Sequence, residues 1–166
     1  MDDMNGLMRI PEEWVPLALI AIGGAMLVVL MVLHGYGIDR IVVHYQRNAE
    51  RLREKRRSPH VAVLAFAMTI LQLLGLHTVE VWLWGMLLWW GGLVQDLHVS
   101  MYFSANAYTT LGMGNMVLPH TWHEMSPMIA ISGLFAFAWT TSELFNIVGD
   151  QHDLVKELEA GRKPAA

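Results

Sequence analysis

No lysine or arginine occurs between Ser58 and Val155, and most of that interval is apolar. Val61 to Val94 is interrupted only by the polar residues Thr69, Gln72, His77, Thr78 and Glu80. Ser126 to Val148 contains a single ionisable side chain, Glu143. A third run, Trp14 to Leu33, has no charge at all over 20 residues, about the length needed to cross a hydrocarbon core of roughly 30 Å as a helix. With 54% hydrophobic and only 16% charged residues, against about 25% charge in soluble domains, the chain reads as one that lives in lipid. Lipid leaves the backbone no water to bond to, so the expected fold class is all-α.

The leading segment carries Asp2, Asp3, Glu12 and Glu13 against one Arg9, whereas a cleavable signal peptide needs a basic start and a shorter apolar stretch. Trp14 to Leu33 is therefore read as a retained span, with Pro16 tolerated in its first turn. Seven of the 11 Lys and Arg lie between Arg40 and Arg57. The positive-inside rule makes that stretch cytosolic and the N-terminus external. The run suits a solvated helix face continuing from the first span, with some attraction to anionic lipid. An acidic net charge of −4 argues against nucleic acid as a partner. Val61 to Val94 is too short for two spans and suits one long tilted helix, its far end marked by Trp82, Trp84, Trp89 and Trp90 as an interfacial belt. Ser126 to Val148 then returns to the cytosol, where Arg162 and Lys163 obey the same rule. Residues 95–123 stay on the outer side.

That intervening segment is too apolar for an ordinary exposed loop. Val99 to Thr110 has helix-like apolar spacing and is followed at once by Gly112 and Gly114. A short helix dipping into the membrane and returning as extended backbone accounts for both features. Non-helical backbone is tolerated at that depth only when buried in protein or lining a watery path. Alternating glycines permit carbonyls turned to one side, which makes a ladder of cation sites without any charged side chain.

Thr109-Thr110-Leu111-Gly112-Met113-Gly114-Asn115 resembles the T-T-V-G-Y-G-D signature of the potassium-channel pore-domain family. The resemblance extends from about Val61 to Val148, over the outer helix, pore helix, filter and inner helix of a two-transmembrane channel, and leaves the first span outside. It implies that Thr110 offers carbonyl and hydroxyl to the innermost ion site, that Leu111, Gly112 and Met113 supply the carbonyls above, and that Gly114 closes the mouth. A pore helix over Leu97 to Tyr108 would aim the negative end of its dipole at the cavity. In the inner helix Gly133 stands where the family often has a hinge, Thr141 would line the cavity and Phe145 would lie nearer the cytosolic gate. Met113 replaces the family's bracing Tyr and Asn115 its acidic residue at the pore mouth. Neither change removes a carbonyl, but both weaken the case for strict potassium selectivity.

Outside that motif, His77 and Glu80 share a helix face at i and i+3, as either a candidate proton-sensing pair or a neutral pair docking the first helix. Glu143 follows Thr140, Thr141 and Ser142 in a polar strip, suited either to a carboxylate ring in the cavity or to a structural contact. His120, His123 and Glu124 belong to an exposed outer loop with weak metal-ligand character. No nucleophile elbow, phosphate loop or paired carboxylate speaks for an enzyme, and the absence of Cys removes thiolate chemistry. The tail, about one short amphipathic helix, is too small for a soluble ligand domain.

The expected protein is thus an all-α integral membrane protein of three transmembrane helices plus a re-entrant pore helix and filter loop. Residues 1–60 form the extra helix and basic linker, 61–149 the pore domain and 150–166 the cytosolic tail. It would sit in the cell inner membrane as a homotetramer and pass K⁺, with no cofactor beyond the permeant ion. A weakly selective cation channel and a non-conducting subunit that modulates a partner are the alternatives.

Overall fold

The computed structural model describes residues 15–55, 58–112, 118 and 123–161. Four helices account for nearly all of them: α1 (Val15–Glu54), α2 (Pro59–Trp90), α3 (Leu97–Tyr108) and α4 (Met125–Ala160). No strand occurs among the described residues. The stretches Ile20–Glu54, Pro59–Trp90 and Met125–Ala160 are each long and apolar enough to cross a membrane, which fits a multi-pass membrane protein. Their apolar side chains point outward in large number: Val32, Leu64, Phe135 and Phe145 are all more than half exposed. On a protein surrounded by water such a surface would be an association hazard, but facing lipid it carries no penalty.

The helices obey local rules. Pro59 opens α2 at the one position where a missing N–H and a fixed φ cost nothing. α2 stops at Gly91-Gly92, where Gly92 takes φ +69° and lets Leu93 N–H bond back to Leu88 O at 3.0 Å. Asp96 caps α3, its carboxylate accepting from Val99 N–H at 2.9 Å. Where the sequence predicts spans of 20 and 23 residues, α1 and α4 run to 40 and 36. The basic residues from Arg40 to Arg53 lie on a continuation of α1, and the short amphipathic helix expected for the tail is the end of α4, up to Ala160.

Two compact units divide the chain, Met1–Leu30 with Val81–Leu134, and Met31–Glu80 with Phe135–Ala166. In the second, Ala49 of α1, Ala62 of α2 and Leu154 and Leu158 of α4 form a small apolar cluster flanked by Leu52 and Val155. Buried Tyr45 donates to Gln151 Oε1 at 3.3 Å beside it. Exposed Arg53 meets Glu157 at 2.8 Å, an ion pair worth at most about 1 kcal/mol in that setting. The first unit holds α3.

Candidate functional site

The 12-residue helix α3 is about 18 Å long, too short to cross a bilayer. Small residues set its place in the first unit. Ser100 donates from Oγ to the carbonyl of Gly85 on α2 at 2.6 Å, and a Cβ at Gly85 would collide with the sulfur of Met101. At the other end, a Cβ at Gly133 of α4 would run into the carbonyl oxygen of Tyr108. Gly133 lies eight residues into α4, about 12 Å along its axis, so the C-terminal end of α3 abuts α4 well inside that helix. Buried Trp84 of α2 donates its indole N–H to Ser132 Oγ at 2.8 Å, and that hydroxyl donates onward to Ile129 O, so α2 and α4 are hydrogen-bonded beside the same surface. Phe103, Ala107 and Tyr108 are buried on α3, while Tyr102 points outward.

The chain leaves α3 through a closely hydrogen-bonded turn. Thr110 N–H bonds to Ala107 O and Leu111 N–H to Asn106 O, both at 3.0 Å, the paired arrangement of a Schellman cap. That cap needs a left-handed residue, normally glycine, and here it is Thr110 at φ +58°. A β-branched residue in this region is strained by about 1–3 kcal/mol. Gly112 follows at φ +77°, and Leu111 between them leaves its side chain 79% exposed. Three of the sequence-predicted filter residues, Thr110, Leu111 and Gly112, are therefore described. Met113, Gly114 and Asn115 lie outside the described residues.

The inner-helix candidates divide by face. Thr140 is buried, whereas Thr141 and Phe145 are exposed and Glu143 is half-buried. Thr141 turns its hydroxyl back to Phe137 O at 2.7 Å, and Glu143 accepts from Asn146 Nδ2 at 3.3 Å. Ala138, Thr141, Phe145 and Val148 make one exposed stripe at alternating spacings of three and four. Gly133, the position at which the resemblance implies a hinge, admits the carbonyl of Tyr108 at the close approach of α3.

In the second unit His77 and Glu80 are both buried, and they are joined by a residue that sequence reasoning passed over, His34 of α1. His34 Nδ1 lies 2.5 Å from Glu80 Oε1. Thr140 Oγ1 on α4 lies 3.1 Å from Nε2 of both His34 and His77. Phe137 stacks on the His77 ring at 4.4 Å between centroids and Trp139 flanks His34 at 6.0 Å, so an apolar wall encloses the polar group. His34 had a signal available. It follows immediately on the uncharged run that ends at Leu33, and an ionisable residue at the margin of a span needs a buried partner.

Comparison of the chain with family models, with curated proteins and with solved structures returns no match.

Proposed function

We propose that the chain is one subunit of a cation channel in which four copies surround a shared axis and residues Thr110 to Gly114 present backbone oxygens to K⁺. The observation that carries this reading is the turn at the end of α3, where Thr110 occupies a left-handed position that glycine would hold without strain. Strain of this kind persists where surrounding structure over-determines the backbone, and it clusters at sites that hold ligands. Thr110 opens the T-L-G-M-G segment, Gly112 continues it with a second left-handed residue, and α3 before it is fixed on both flanking helices by Gly85 and Gly133. A helix too short to span, buried against two that can, suits a re-entrant pore helix with its negative end toward the cation path.

One copy supplies a single wall of an ion path, so closed cyclic symmetry is required. The exposed stripe through Thr141 and Phe145 on α4 is suited to lining that path. The basic residues from Arg40 to Arg57 favour a cytosolic C-terminus, an external N-terminus and an inner-membrane location. Flux of K⁺ and Na⁺ in liposomes, measured for the native protein and for Met113→Tyr, is the test. K⁺ flux exceeding Na⁺ flux, with the ratio increased by the aromatic brace, supports a selective filter. Equal flux of both ions points to the weakly selective channel instead, and absence of flux in correctly folded protein overturns conduction in favour of a non-conducting subunit.

A further inference from the structure

We propose that His34, His77 and Glu80 form a binding site for a divalent transition-metal cation of borderline softness, of which Zn²⁺ is the representative. One ligand atom from each of the three lies within 4.8 Å of the others, and all three residues are buried, at 0%, 7% and 1% exposure. Two imidazoles and a carboxylate match the three-ligand sets that hold zinc and leave a fourth position for another donor. His77 and Glu80 stand at i and i+3 and so share a helix face, the spacing, in the opposite order, of the Glu-x-x-His pairs that bundle helices present to metals. His34 meets them from a second helix.

Charge supplies an independent reason. A buried carboxylate is costly without a cation, and no Lys or Arg occurs from Ser58 to Val155. One histidine hydrogen-bonded to Glu80 would meet that need by itself. The second imidazole converges on the same point from α2, and two imidazoles with a carboxylate inside 4.8 Å of one another are the arrangement a metal requires. Zinc at about 2.0–2.1 Å from each ligand sets neighbouring donors roughly 3.3 Å apart. The widest edge of the cluster would draw in, and the 2.5 Å approach of His34 to Glu80 would open as the ion replaces the hydrogen between them. Thr140, bonded to Nε2 of both rings, is the outer partner that holds their orientation and ties α4 to the site.

The test uses the full chain in detergent, stripped with a chelator and titrated with Co²⁺, whose visible ligand-field absorption reports coordination by nitrogen and oxygen. The expected result is an absorption that saturates at one ion per chain and is displaced by Zn²⁺. His34→Gln, His77→Gln and Glu80→Gln should each abolish it while far-ultraviolet dichroism still reports a helical protein. Thr140→Val should retain the stoichiometry with affinity weakened about 10- to 100-fold. His120→Gln combined with His123→Gln should leave the titration unchanged. A native, helical protein that shows no saturable Co²⁺ or Zn²⁺ binding overturns the proposal, as does uptake that survives the three glutamine variants. The readout is metal coordination, so it stands apart from whether the chain conducts.

Discussion

Helices α2 and α3 end with the same hydrogen-bond pattern built on different residues. At the end of α2, Gly92 N–H bonds to Trp89 O and Leu93 N–H to Leu88 O, and at the end of α3, Thr110 N–H bonds to Ala107 O and Leu111 N–H to Asn106 O. The left-handed position is Gly92 in the first and Thr110 in the second, at φ +69° and +58°. Both turns are themselves exposed, but Trp90, the last residue of α2, is exposed as well. The turn after α3 follows Tyr108, which is buried and has its carbonyl against Gly133. Thr110 therefore keeps a conformation that its side chain opposes directly after a packed helix end, whereas Gly92 takes the same conformation without strain after an exposed one.

The contrast breaks most severely if α3 is pushed off α4. Gly133→Ala places a methyl group where the Tyr108 carbonyl sits, and because that oxygen belongs to backbone the helix itself must shift. The expected cost is about 2–3 kcal/mol, read as a lowered Tm in detergent. Gly75→Ala, where an added Cβ meets nothing within 4 Å, should be neutral or slightly stabilising. An unchanged Tm for Gly133→Ala would mean that α3 is not held by this contact.

Exchanging residues between the two caps sharpens the comparison. Gly92→Thr should cost about 1–2 kcal/mol, since it imports at α2 the strain already present at α3. Thr110→Gly should do the reverse and raise stability by up to about 1 kcal/mol, offset in part by the greater freedom of glycine in the unfolded chain. On the channel reading the same substitution lowers the K⁺ to Na⁺ flux ratio in liposomes, because a hydroxyl is removed and the segment loosens. A variant that is more stable and equally selective would show the strain to be without function.

Legibility in the sequence followed the reach of the interactions. Apolar spacing alone places α3 two residues late, at Val99 to Thr110, and the bounds Leu97 and Tyr108 come with the pore-helix resemblance; the cap at Asp96, which acts within one turn of the helix, is a local signal that neither reading uses. Runs of apolar residues located the three long helices but not their ends, because α1 and α4 continue through polar sequence on the strength of packing such as Ala49 and Ala62 against Leu154. His77 and Glu80 were marked as a pair by spacing alone. Their connection to His34 and Thr140 spans 46 and 63 positions and depends on how helices meet, which no periodicity reports. Gly133 was legible as a glycine in a helix, while its use, admitting a carbonyl from α3, required the structure.

The smallest effect concerns the opposite end of α3. Asp96 supplies both a cap and a negative charge, and substitution separates them. Asp96→Ala leaves Val99 N–H without its side-chain acceptor and should cost about 1 kcal/mol. Asp96→Asn retains an acceptor of the same shape and loses only the interaction of charge with the positive end of the helix, worth roughly 0.3–1 kcal/mol. If α3 were fixed by its caps, the alanine variant would rival Gly133→Ala in lowering Tm. If it is fixed by Gly85 and Gly133, as the geometry of its contacts implies, both Asp96 variants fall well short of that substitution. The Tm of Asp96→Asn should then lie within a few degrees of the native protein, and comparing the three values tells which kind of interaction sets the position of the helix that precedes Thr110.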